Sequence, residues 1–190
     1  CPYIPGWELC TIWRSARQVG GDFYDFIPLP WLQDQAASEG GRMGLVVADV
    51  ADKGVPAALF MALCRTLVRT VAIDGRAPAA AIGRANDLIL ADARSDLFVT
   101  LFYAILQPAS GTVHYANAGH IPPLLVRAAD GSVEDLRTNG IALGVLPDIE
   151  FEEKTANLDP GDLLILYTDG VTEAADAEEA VPLIEYLRED

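Results

Sequence analysis

Gly44-Leu45-Val46-Val47-Ala48-Asp49-Val50-Ala51-Asp52-Lys53-Gly54-Val55-Pro56-Ala57-Ala58 is the stretch on which the reading of this chain turns. Its apolar, mostly β-branched opening suits a strand buried on both faces. The run ends on an acid, Asp49. A short turn with Lys53 and Gly54 follows, and Pro56 fits the first turn of a helix, where no backbone N–H is needed. Ala57 to Arg69 continues as a good helix former. A carboxylate fixed at the end of a buried strand is costly unless a cation or several donors face it. Asp49 therefore reads as a metal ligand, the alternative being a cap for the turn or for the Pro56 helix.

On either side, the pattern is strand-rich. Trp7–Ser15 alternates well enough for a strand, and a Gly20-Gly21 turn leads into another that runs to about Leu29. Pro30–Arg42 is polar and Gly-rich, as in a hairpin loop. A second helix is expected from Pro78 to about Ala93, after a break at Asp74-Gly75-Arg76. Phe98–Gln107 is the clearest strand, and Thr112–Asn117 returns beside it. Leu124–Arg127 and Val133–Leu136 form another hairpin. Phe151–Leu158 and Leu163–Tyr167 flank an Asp159-Pro160-Gly161-Asp162 turn, and Ala177–Asp190 has helical spacing. Many antiparallel strands with two adjacent central helices read as an α+β layered domain.

The chain has 190 residues, 51% of them hydrophobic, and fits one domain, residues 1–190. Its prolines at Pro2 and Pro5 read as the end of a linker from a longer, multidomain protein. No apolar run approaches the roughly 20 residues of a membrane helix, so no membrane segment is expected. A formal charge of −15 argues against nucleic-acid binding and suits a protein that takes up cations. Cys1, Cys10 and Cys64 have no metal-ligand spacing, and Cys64 reads as a core residue of the first helix. A reducing, cytoplasmic setting is the expectation.

Three acids share one pattern. Asp22 (Gly-Gly-Asp-Phe-Tyr-Asp), Asp49 and Asp169 (Tyr-Thr-Asp-Gly) each sit at a turn beside a strand, in company with glycine. Carboxylates, carbonyl oxygens and water are what Mg²⁺ and Mn²⁺ prefer. Two such ions about 3.5–4 Å apart can activate a water and hold a phosphoryl group. Asp25 is a weaker candidate, since it falls on the other strand face from Asp22. Neither His114 nor His120 has zinc spacing. No Ser sits in a nucleophile elbow and no Gly-rich segment matches a P-loop.

The segments Ala16–Asp25, Ala48–Ala58, Phe98–Phe102, Asn117-Ala118-Gly119-His120 and Tyr167–Glu173 together resemble the SpoIIE/RsbU-type branch of the metal-dependent protein phosphatases, the PPM or type 2C family. They run in the family's order. The resemblance implies an α-β-β-α sandwich of two antiparallel sheets flanked by helices. It implies a serine/threonine protein phosphatase with two Mn²⁺ or Mg²⁺ ions, in which a metal-bridging water attacks phosphorus. By motif, Asp49 would bridge both ions, the Val50 carbonyl would complete one shell, Asp22 would hold one ion and Asp169 the other. Gly54 and Gly170 would be backbone neighbours, and His120 a site-shaping residue rather than a ligand. Arg17 is a weak candidate for the substrate phosphate, with a solvated or acid-paired side chain as the competing reading. The implied substrate is a phosphorylated STAS-type anti-sigma-factor antagonist. A fused sensor or receiver domain and a homodimer are also implied.

One departure stands out. The family usually carries another metal-binding Asp in a final strand after the Tyr-Thr-Asp-Gly motif, and the sequence ends at Asp190 without that strand. Glu189 and Asp190 are not replacements, so the domain reads as lacking the last part of the family fold. The alternative function is thus a weakly active or inactive phosphatase-fold module that binds partners. A two-metal phosphodiesterase or cyclase is disfavoured by the lack of a basic or Gly-rich nucleotide cradle.

Overall fold

The computed structural model describes residues 1–13, 20–29, 41–52, 54–92 and 97–172. Two antiparallel sheets lie face to face. The first has five strands in the order β1-β2-β3-β4-β7: β1 (Phe23–Leu29), β2 (Arg42–Val50), β3 (Val99–Gln107), β4 (Thr112–Ala118) and β7 (Glu153–Asn157). The second has three, β6-β5-β8: β5 (Leu124–Val126), β6 (Val133–Asp135) and β8 (Leu163–Ile165). Helices α1 (Val55–Ile73) and α2 (Pro78–Asp92) pack on the outer face of the first sheet, and a single turn, α3 (Asp169–Thr172), follows β8. The expected α+β sandwich is present. Its helix layer lies on one side among the described residues.

Two apolar cores follow from strand alternation. Phe23, Ile27, Val46, Ala48, Leu101 and Tyr103 face the helices, with Ala57, Phe60, Cys64, Val68, Ile82 and Ile89 opposite them. Leu45, Val47, Phe102, Ala104 and Val113 face the second sheet, where Leu125, Leu136 and Leu158 meet them. Central β3 is buried on both faces for most of its length, as its continuous apolar sequence demands. Cys64 is a core residue as expected, and burial pushes its thiol up to about 12.

One expectation changes. No strand forms over the described part of Trp7–Ser15; Trp7 makes one bridge to Ile4, and its indole N–H donates to the Pro108 carbonyl at 3.2 Å. Among the described residues no strand lies beside this segment for the alternation to act on, and Ile12 is 92% exposed. The two segments that flank the Asp159–Asp162 turn enter different sheets: β7 pairs with β4 and β8 with β5. Arg127 holds that crossing by donating to the Asn157 carbonyl (2.7 Å) and Asp162 (2.8 Å). Finally, α1 is long and apolar enough to cross a membrane by length and composition. In the fold it lies along the first sheet, and its arginines are tied to Asp25. The C-terminal helical expectation, 177–190, and most of the hairpin loop, 30–40, lie outside the described residues.

Asp25 is 8% exposed and points to the helix side. Arg69 Nη1 donates to both its carboxylate oxygens at 2.7 Å, and Arg65 Nη2 lies 3.4 Å away. Asp25 is therefore an ion-pair anchor for α1 and takes no part in the acid cluster. The arginines are half-exposed, so removing either partner has unequal consequences. Arg69→Met leaves a buried carboxylate with only the longer Arg65 contact and is expected to cost about 2 kcal/mol. Asp25→Leu leaves the arginines to water and is expected to cost clearly less in urea unfolding.

Candidate metal centre

The register of the first sheet builds the site. Phe23 pairs with Ala48, so the next step in the antiparallel ladder sets Asp22 opposite Asp49; Asp49 in turn pairs with Thr100. Directly opposed residues share a face. This row lies on the face turned to the second sheet, with Val47 and Phe102. Asp169 arrives from that second sheet, four residues past the end of β8. Asp22, Asp49 and Asp169 each offer a carboxylate oxygen within 4.8 Å of the others. Asp22 and Asp49 are half-buried and Asp169 is exposed.

Around them the chain is shaped for close approach. A Cβ on Gly21 would sit 2.8 Å from the Val50 carbonyl oxygen and 3.4 Å from Asp49 Oδ1. Glycine there leaves the Val50 carbonyl uncovered beside the acids. Asp52 (φ 101°) and Gly54 (φ 94°) turn the chain between β2 and α1 in the left-handed half of backbone space. For an aspartate this is strained, of the kind concentrated at functional sites. Gly54 is the N-cap of α1 and no side chain caps that helix, so Asp49 is not its cap.

His120 is buried beside this cluster. Its ring reaches the Tyr167 carbonyl through Nε2 (3.0 Å) and the Thr100 hydroxyl through Nδ1 (2.9 Å). A carbonyl only accepts, so Nε2 carries the proton. Asn117 clamps the His120 backbone, accepting from its N–H at 2.7 Å and donating to its carbonyl at 2.9 Å. The Thr168 hydroxyl donates to Asp22 Oδ2 at 2.9 Å. Thr100, Thr168, Gly21 and Asn117 were not singled out as functional in the sequence; only the sheet register, which sets Thr100 opposite Asp49 and Gly21 against Val50, brings the first and third to the site. His114 sits in β4 against Thr155, away from the acids. Gly170 follows Asp169 in α3. Arg17 lies outside the described residues.

The donor set is all oxygen, which fits a hard divalent cation. Comparison with known proteins agrees with the geometry. Residues 39–190 match the family model described as "Stage II sporulation protein E (SpoIIE)". The chain belongs to the SpoIIE family. It is similar to phosphoserine phosphatase RsbU of Bacillus subtilis, 30% identical over 87% of this chain and 47% of that protein. Its fold is similar to a structure of the RsbU and RsbW domains of Rv1364c from Mycobacterium tuberculosis (TM-score 0.69, 32% identity, covering 84% of this chain and 42% of that one). It is also similar to the PP2C phosphatase domain of SpoIIE from Bacillus subtilis (TM-score 0.68, 19% identity, covering 86% and 44%). The chain thus spans less than half the length of each of these relatives. It is a SpoIIE/RsbU-type domain with the PPM fold.

Burial holds the His120 imidazole below its usual range, against the pull of the Tyr167 carbonyl and the Asp22 and Asp169 charges. The unfolded chain then binds a proton that the folded chain resists, so this contribution to stability is present above the ordinary value of about 6.5 and is lost as pH falls through the folded value. Metal-free protein is expected to lose more stability between about pH 7.5 and 5.5 than His120→Gln does. Denaturant unfolding at the two pH values checks this.

Proposed function

We propose that this domain is a metal-dependent phosphoserine/phosphothreonine protein phosphatase. The observation that carries the proposal is the convergence of Asp22, Asp49 and Asp169 from three separate segments onto one point. Like charges so placed raise one another's energy unless cations lie among them. In this reading Asp49, Asp22, Asp169 and the Val50 carbonyl would hold two Mn²⁺ or Mg²⁺ ions, with Asp49 common to both and Asp22 and Asp169 each serving one. When bound, the ions supply Lewis acidity and an activated water for phosphoryl hydrolysis. The chain's own contribution is placement. β1, β2 and β3 fix the row that contains Asp22 and Asp49, and Thr168 orients the Asp22 carboxylate. Glycine at position 21 keeps the Val50 oxygen accessible.

For the substrate we infer a phosphorylated STAS-type anti-sigma-factor antagonist. The likeness to RsbU, named a phosphoserine phosphatase, supports the phosphoserine part of that reading. In the whole protein, a fused sensor or receiver domain would supply the input. The test is hydrolysis of a phosphoserine STAS protein with and without Mn²⁺. Turnover is expected only with metal. Asp49→Asn is expected to lower it by more than about 100-fold, a larger loss than removing a residue that merely supports a ligand. Metal-independent turnover, or an unaffected Asp49→Asn variant, would overturn the mechanism. A folded, metal-binding protein with no turnover would favour the binding-module alternative.

A further inference from the structure

We infer that His120, acting with Thr100, is a positioning residue that sets metal affinity by fixing the spacing between the Asp169 segment and the Asp22–Asp49 row; this rests on the metal centre proposed above. The problem it answers is geometric. Asp22 and Asp49 stand in a five-stranded sheet, with Asp49 braced by β1 and β3. Asp169 follows a three-residue strand that, among the described residues, pairs with β5 alone. Carboxylates that repel one another will spread wherever the weaker element gives.

Among the described residues, two side-chain hydrogen bonds help to carry the weaker element across to the first sheet. One is Thr168 to Asp22, within the acid cluster itself. The other is His120 to the Tyr167 carbonyl, two residues before Asp169. The histidine is itself held at four points. Asn117, buried in β4, grips its N–H and its carbonyl. The ring's Nδ1 faces Thr100, whose hydroxyl also lies 3.3 Å from the carbonyl oxygen of Asp49. Donor counting fixes the arrangement. With Nε2–H committed to Tyr167, a neutral ring can only accept at Nδ1, and the single hydroxyl proton of Thr100 supplies that bond. Thr100 thereby selects the tautomer able to hold Tyr167. Thr100 has one proton, so its 2.9 Å bond to Nδ1 leaves the Asp49 carbonyl at 3.3 Å as a contact only. The hydrogen-bonded chain runs from Thr100, which pairs with Asp49 in the sheet, through His120 to Tyr167, and so to Asp169.

A ligand-supporting hydrogen bond of this kind changes affinity without touching the ion. The experiment is calorimetric titration of the folded, metal-free chain with Mn²⁺ alone, with circular dichroism confirming the fold of each variant. His120→Ala is expected to weaken binding by about 10–100-fold. His120→Gln, whose amide N–H can still reach the Tyr167 carbonyl, is expected to recover most of that loss. Thr100→Val removes the hydroxyl and keeps the side-chain shape; it is expected to weaken binding while the protein stays folded, and it decides the matter if His120→Ala does not fold.

A merely structural histidine would lower the melting temperature and leave Mn²⁺ affinity unchanged, which overturns the inference. So would a Gln variant no better than the Ala variant, or a Thr100→Val protein with wild-type affinity. Wild-type protein that binds no Mn²⁺ would remove the metal centre and this inference together. Protein that binds Mn²⁺ with the expected variant order, yet dephosphorylates nothing, would end the phosphatase reading and leave the positioning role standing.

Discussion

Three carboxylates held within 4.8 Å of one another push apart, and the frame that bears them has to resist that push. Much of the fold can be read as an answer to this constraint. The ladder of β1, β2 and β3 makes a rigid row in which Asp22 and Asp49 stand opposite each other. Apolar cores on both faces of that sheet hold the row in place. The second sheet then delivers Asp169 to the same point, and His120 and Thr168 tie its end to the first.

The same sheet separates two kinds of acid by strand parity. Asp22 faces the second sheet and joins the cluster, whereas Asp25, three positions on, faces the helices and is neutralised by Arg69 and Arg65. That pair also accounts for α1. A helix apolar enough by composition to suit a bilayer lies along the sheet, where its two arginines neutralise the buried Asp25.

The three acids could be read in the sequence because each sits at a turn next to an apolar strand with glycine nearby, a local pattern. The opposite facing of Asp25 was readable for the same reason, from the period of two along a strand. What supports the acids was not readable. Thr168 and Asp22 are 146 residues apart, and the His120 to Tyr167 bond spans 47, so neither leaves a mark on local spacing. The turn at Asp159–Asp162 looks the same whether its strands pair with each other or enter different sheets, and only the partners available to β7 and β8 decide. The alternating residues after Trp7 show that periodicity reports a capacity for pairing, which still needs a neighbouring strand.

The central claim is that Asp22, Asp49 and Asp169 together bind divalent cations. Crystals of the domain soaked in Mn²⁺ and measured at the manganese absorption edge test it most directly. The expected result is anomalous density among the three carboxylates, lost in Asp49→Asn. Manganese found elsewhere, with those carboxylates empty, would contradict the account.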